Sequence, residues 1–251
     1  MSLPTWTPAE LSSESSDISC KVWRIVEAQH IVSTLKIVDT RAEQELLEEI
    51  IEECKPPIPS EAVGLHYLLF SPFRYDTRPP SGSRFRAISD PAVFYGAETV
   101  RTGAAEVAHW RWRFLQDTSG LTRLQPCMFT AFSVPIRTSC IDLRKPPFDS
   151  YSTVWLHPTD YSGTQALGRV SRIAGLGALM YQSVRDPDPH FCIAILTPRA
   201  FALKKPDSAT QTWMLTVSSR EAIWMRQDDS ESFSLITASW DLPVKLAELV
   251  P

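Results

Sequence analysis

The sequence contains no asparagine and only nine glycines. Those two residue types supply most of the left-handed backbone found in tight turns and helix ends. A chain built this way must place such turns at a few glycines and shape the rest with Asp and its 20 prolines. The same absence excludes N-glycosylation, which needs Asn-x-Ser/Thr, and any Cys-His-Asn catalytic set. Its 251 residues suit one domain, or one domain with an added segment. Hydrophobic residues at 43% and charged residues at 22% belong to a folded chain.

Net charge is −4. A non-specific nucleic-acid binder would carry the opposite sign, so direct nucleic-acid binding is not expected. Residues 1–60 hold 5 Lys+Arg against 11 Asp+Glu, and residues 61–251 hold 20 against 18. Arg outnumbers Lys 18 to 7. Seven Arg fall between Arg74 and Arg113. Arg suits bidentate contact with phosphate or carboxylate, so this stretch reads either as ordinary surface charge or as a pocket for a small phosphorylated ligand.

The five Cys are scattered and form no CxxC pair, which argues against a zinc ribbon or disulfide scaffold. The five His show no HExxH. No metal site is expected. Met1–Glu10 does not read as a signal peptide, and no run approaches the ~18 apolar residues of a membrane span. The expected location is cytoplasmic. Walker A, GxGxxG and GxSxG motifs are absent, and Asp186-Pro-Asp188 lacks the remaining ligands of an EF-hand.

Periodicity predicts the elements. Residues 1–18 read as a loose lead-in and Cys20–Glu27 as a strand. Asp39–Cys54 is the clearest helix, with Thr40 and Glu43 as a capping box and Ala42, Leu46, Leu47, Ile50, Ile51 and Cys54 on one face. Its acidic face reads as solvated surface or a partner-docking face. LHYLLF within Gly64–Ser83 reads as a strand, as do Ala92–Tyr95, Met128–Ile136, Thr153–Leu156, Ala178–Val184, Phe191–Leu196, Thr212–Val217 and Glu221–Met225. Helices are expected at Thr99–Phe114 and Ser162–Ala174, the latter stopped by Gly175. The fold class is therefore α+β, one mixed domain with a central mixed sheet and flanking helices. Its expected organisation is an N-terminal segment (1–60) packed on the core, a core domain (61–225) and a C-terminal extension (226–251).

Four residues stand in suggestive settings. Arg84 follows a Pro-rich loop. Tyr95 ends an apolar run. Glu106 lies on a helix among Ala104, Ala105, Val107, Ala108 and Trp110. Ser183 closes LMYQS. Taken singly they also read as a loop anchor, a core ring, a surface carboxylate and a strand end.

Their order matches a family pattern. The segments PFRYDTRPPSGSRFR (72–86), PAVFYGAETVRTGAAEVAHWR (91–111), QALGRVSRIAGLGALMYQSVRDP (165–187) and CIAILTPRAF (192–201) resemble the RES family, named for an Arg, a Glu and a Ser in that order. The strand carrying Trp23-Arg24 is similar to the family's start. The likeness runs from about residue 20 to about residue 225. Some members carry an Asn in the strand after the Ser; this chain has none.

The resemblance implies a fold similar to ADP-ribosyltransferase toxins. It implies a toxin of a toxin–antitoxin pair that consumes NAD by phosphorolysis or hydrolysis of the nicotinamide–ribose bond. It further implies an Xre-like helix-turn-helix antitoxin as partner. NAD would be substrate, with inorganic phosphate as co-substrate and no resident cofactor. Glu106 would stabilise the ribosyl cation. Tyr95 would stack on nicotinamide, Arg84 would hold a phosphate, and Ser183 would bond the ribose. Arg74 and Arg185 are secondary phosphate residues. Two rivals stay open: a mono-ADP-ribosyltransferase acting on a protein, and a catalytically silent binding module of the same fold. Oligomeric state is open, a homodimer included.

Overall fold

The computed structural model describes residues 4–28, 37–74 and 82–241. It is organised around one eight-stranded mixed sheet. Helix α1 (Pro8–Ser13) opens the chain, capped by Thr7 and Glu10 in a reciprocal box. The expected loose lead-in is thus ordered: Leu11 is fully buried, and strand β1 (Ser16–Glu27) begins four residues earlier than periodicity indicated.

Strand β3 (Cys127–Asp142) is the spine. One edge pairs antiparallel with all twelve residues of β1. Its other edge is shared. The N-terminal end binds β6 (Gln211–Val217), and the C-terminal end binds β4 (Ala178–Gln182) in parallel. From β4 the pairing passes to β5 (Phe191–Ile195), then β2 (Phe94–Ala97), and returns to β1 through Trp23 opposite Ala97. Five strands therefore close on themselves. Strands β7 (Glu221–Arg226) and β8 (Ser232–Ile236) extend the sheet beyond β6. The sheet takes strands from all three of the expected segments, since β1 precedes residue 60 and β8 follows residue 226.

Helix α4 (Val100–Asp117) lies across this sheet. Thr99 caps it. Ala104, Ala105 and Ala108 are fully buried and let the helix sit close, while Trp112 and Leu115 pack with Phe129, Trp213 and Trp224. Burying such aromatic rings removes on the order of 150–250 Å² each from water. Helix α6 (Ser162–Ile173) is stopped by Gly175 at φ +73°. Among the described residues every positive φ falls on glycine: Gly64, Gly82, Gly120 and Gly175.

Two expected strands are helices. LHYLLF enters α3 (Tyr67–Arg74), and Thr153–Leu156 falls on the short α5 (Ser152–Trp155). A short apolar run carries no period that separates a strand from a half-buried helix. Strand β8 and the four-residue α7 (Ala238–Asp241) escaped notice, because β8 has only Leu235 buried. Helix α2 (Arg41–Glu53) forms with the expected Thr40–Glu43 box, but none of its residues is buried. Among the described residues no helix is long and apolar enough to cross a membrane.

Candidate active site

A stripe of α4 spaced i, i+3, i+4, i+7 (Gly103, Glu106, Val107, Trp110) forms one wall of a cavity of about 230 Å³. Opposite lie Arg84, Tyr95, Tyr161, Tyr181, Arg185 and Cys192, with Trp23 and Arg24 from β1. Three Arg and a single carboxylate among the lining residues give the cavity a positive balance.

Arg84 and Phe85 form the tip of a tight turn closed by reciprocal bonds between Ser83 and Arg86. Gly82 enters this turn at φ +71°, where an added Cβ would lie 2.3 Å from the Arg86 carbonyl oxygen. Phe85 is fully buried and anchors the tip. Helix α6 braces it: Gln165 Nε2 donates to the Ser83 and Arg86 carbonyls, and Gly168 leaves room for the Phe85 carbonyl, 2.7 Å from where a Cβ would stand. The Arg84 Nη1 donates to the carbonyls of Trp155 (2.8 Å) and His157 (3.0 Å). Its guanidinium lies over the Tyr161 ring at 4.8 Å and near Tyr181 at 5.7 Å. Two backbone acceptors and two rings thus fix the cation in place, with its other nitrogens free of hydrogen bonds to the described residues.

Tyr95 sits on β2. Its hydroxyl shares a 2.8 Å bond with Ser83 and accepts from the Phe85 N–H at 3.1 Å. Burial raises its pKa. The phenol is therefore spent on holding the Arg84 turn, and only the ring is presented to the cavity.

Glu106 and Ser183 meet across the site. Ser183 Oγ donates to Glu106 Oε1 at 2.7 Å and accepts from the N–H groups of Arg185 and Asp186 at 3.2 and 3.1 Å. The serine is 3% exposed and is not among the lining residues. Its hydroxyl is engaged with Glu106 in this structure. The Cys192 thiol points at the same oxygen, 3.8 Å away. Burial first, and the nearby Glu106 charge second, push the thiol's pKa well up and keep it a donor. Glu106 Oε2 takes no hydrogen bond from the described residues.

Arg185 lines the cavity and donates to the Pro158 carbonyl. Burial lowers its pKa, while Glu106 opposes that shift. Arg74 is elsewhere. It bonds Glu52 Oε1 and the Pro56 carbonyl and lines a second cavity that shares only Arg24 with the first. The structure therefore gathers Arg84, Tyr95, Glu106, Ser183 and Arg185, and leaves Arg74 outside.

Sequence reasoning missed Tyr161, Tyr181, Cys192 and Arg24 as wall residues. Tyr181 carried a signal, since the two-residue strand period puts it on the same side as Ser183. Cys192 lies opposite Tyr181 in the β4–β5 ladder, a neighbour that only the pairing reveals. Behind the site, Asp186 accepts from Thr102 Oγ1 at 2.7 Å and so ties the start of α4 to the Ser183 loop. Asp186, Asp188 and His190 also hold potential ligand atoms within 4.8 Å of one another.

A supported carboxylate and three guanidinium groups thus line one cavity. The RES domain family matches residues 58–218, more than half of the chain, and the protein belongs to that family. A crystal structure of the M. tuberculosis MbcT–MbcA toxin–antitoxin complex aligns with 10% identity and a TM-score of 0.44, over 92% of this chain and 94% of that one. No curated protein matches the sequence.

Proposed function

We propose that the protein binds NAD in this cavity and cleaves its nicotinamide–ribose bond. The observation that carries the reading is the state of Glu106. One oxygen is pinned by Ser183 and the other is uncommitted, in a cavity where Arg outnumbers carboxylate. Membership in the RES family supports the choice of NAD.

In the proposed reaction the bond from the anomeric carbon to the pyridinium nitrogen breaks. Its electron pair neutralises the departing nicotinamide, and positive charge passes to the ribosyl ring. Glu106 Oε2 faces that charge or the ribose 2′-hydroxyl. It thus contributes an interaction that strengthens only as the transition state forms. Ser183 acts through Glu106 as a positioning residue. Arg84 and Arg185 bind the pyrophosphate by charge-assisted bonds. The Tyr95 ring flanks the nicotinamide. Phosphate or water then forms the new C–O bond, and an attacking water releases its proton to bulk solvent. NAD is substrate, phosphate a co-substrate, and a helix-turn-helix antitoxin the partner that the family suggests.

Purified protein mixed with NAD, with and without phosphate, should release nicotinamide. Absence of release under both conditions from folded protein overturns the proposal. NAD labelled in its ADP-ribose half separates outcomes: label on a small molecule supports the proposal, and label on protein replaces it with ADP-ribosyl transfer.

A further inference from the structure

Trp110 meets the His109 ring edge-on at 5.7 Å but otherwise stands clear of the core. It is 55% exposed, yet it lines the cavity at its rim, one helical turn beyond Glu106. One turn further along the same ridge is Phe114, 57% exposed. Exposed aromatic rings at i and i+4 on one helix stand close enough to form a continuous apolar step. An aromatic pair left in water beside a binding cavity costs solubility and contributes nothing to the core, where Trp112 and Leu115 of the same helix are already packed.

The cavity is also small for its proposed ligand. About 230 Å³ is below the range of roughly 300–1,000 Å³ typical of pockets that bury a drug-sized molecule. A dinucleotide held with its nicotinamide ribose at Glu106 would extend its other half toward Trp110 and open solvent. That half ends in a purine, whose flat face stacks favourably on aromatic side chains. The helix rises 1.5 Å per residue, so Trp110 stands about 6 Å and Phe114 about 12 Å beyond Glu106 along the axis. This is the scale on which the pyrophosphate separates the two nucleosides.

We infer that Trp110, flanked by Phe114, is the adenine platform of this protein and determines its preference for the dinucleotide over the mononucleotide. The inference rests on the proposed NAD-cleaving reading of the cavity. It assigns the two ends of the substrate: nicotinamide at Glu106 within, adenine on Trp110 at the rim.

The test compares Trp110→Ala and Trp110→Phe with the unaltered protein on two substrates, NAD and nicotinamide mononucleotide, which lacks the adenosine half. Because Trp110 is largely exposed, both variants should keep the parental melting temperature. Stacking of one base is worth roughly a 10-fold or larger change in affinity. The ratio of kcat/KM for NAD to that for the mononucleotide should fall roughly 10-fold in Trp110→Ala through KM, and recover in Trp110→Phe. An unchanged ratio overturns the inference, as does an equal loss on both substrates. Calorimetric titration with AMP gives a readout that needs no turnover. Binding to the unaltered protein that is lost in Trp110→Ala supports the platform even where no nicotinamide is released, in which case only the catalytic proposal fails. Nicotinamide release with AMP binding unaffected by Trp110→Ala has the opposite meaning: the catalytic reading stands and the platform falls.

Discussion

Glu106 is held at one oxygen and open at the other, and the two oxygens invite separate tests. Glu106→Gln keeps the shape and removes the charge. Nicotinamide release should drop at least about 100-fold, equivalent to roughly 2.7 kcal/mol of transition-state stabilisation. The melting temperature should hold, since the residue is only half-buried. Ser183→Ala strands two N–H groups and frees the carboxylate. It should lower kcat by roughly 10-fold with little change in KM for NAD, because it acts on the positioning of Glu106. The double variant should be scarcely worse than Glu106→Gln alone, the mark of two groups acting as one. Arg84, Glu106 and Ser183 were legible because the family pattern names them. The use of Ser183 was not. A sequence shows a hydroxyl near a carboxylate in no direct way, and 77 residues separate these two.

At the scale of elements, the Ser83–Arg86 turn carries the first cation of the site. Gly82→Ala should cost on the order of 2 kcal/mol or more, from the left-handed backbone and the blocked carbonyl together. The KM for NAD should rise with it as Arg84 loses its seat. Helix α2 behaves in the contrary way. Its amphipathic pattern is clear in the sequence and suggests a buried stripe, yet Leu46 and Ile50 are exposed. Leu46→Glu or Ile50→Glu should therefore shift the melting temperature by no more than a degree or two, within the roughly ±0.5 kcal/mol of ordinary surface changes. Capping boxes and glycine stops were legible because their signals are local. Helices α3 and α5 were taken for strands because their apolar runs are too short to show a period. Strand β8 was missed because it buries too little to show an alternation.

For the molecule as a whole, one titratable group ties the site to acid stability. His109 is on the buried face of α4 against Trp112 and Trp240, its Nδ1 without a hydrogen-bond partner among the described residues. Burial, aided by Arg185, Arg113 and Arg84, lowers its pKa to about 3. In the unfolded chain it would titrate near 6.5. Between these values the unfolded state takes up a proton that the folded state refuses. Stability contributed by the neutral ring is complete above about pH 6.5 and declines as pH falls, by up to roughly 1.4 kcal/mol per unit. Urea unfolding across pH 7 to 4 should show this slope, and His109→Gln should flatten it whatever its stability at pH 7. The closed ring of strands was beyond reach of the sequence, since pairing partners are set by the packing of distant segments. The mixed α+β class was within reach.

The long β1–β3 ladder sets a timetable for synthesis. β1 leaves the ribosome with no partner, and β3 begins a hundred residues later. At about 5–20 residues per second that is an interval of roughly 5–20 s. Throughout it a twelve-residue strand waits without its long partner, and neither Glu106 nor Arg84 has the full sheet that aims it. Ser183 and Cys192 arrive later still. On the proposed reading the site has all its parts only once Cys192 has been made, so activity is gained in one step rather than by degrees.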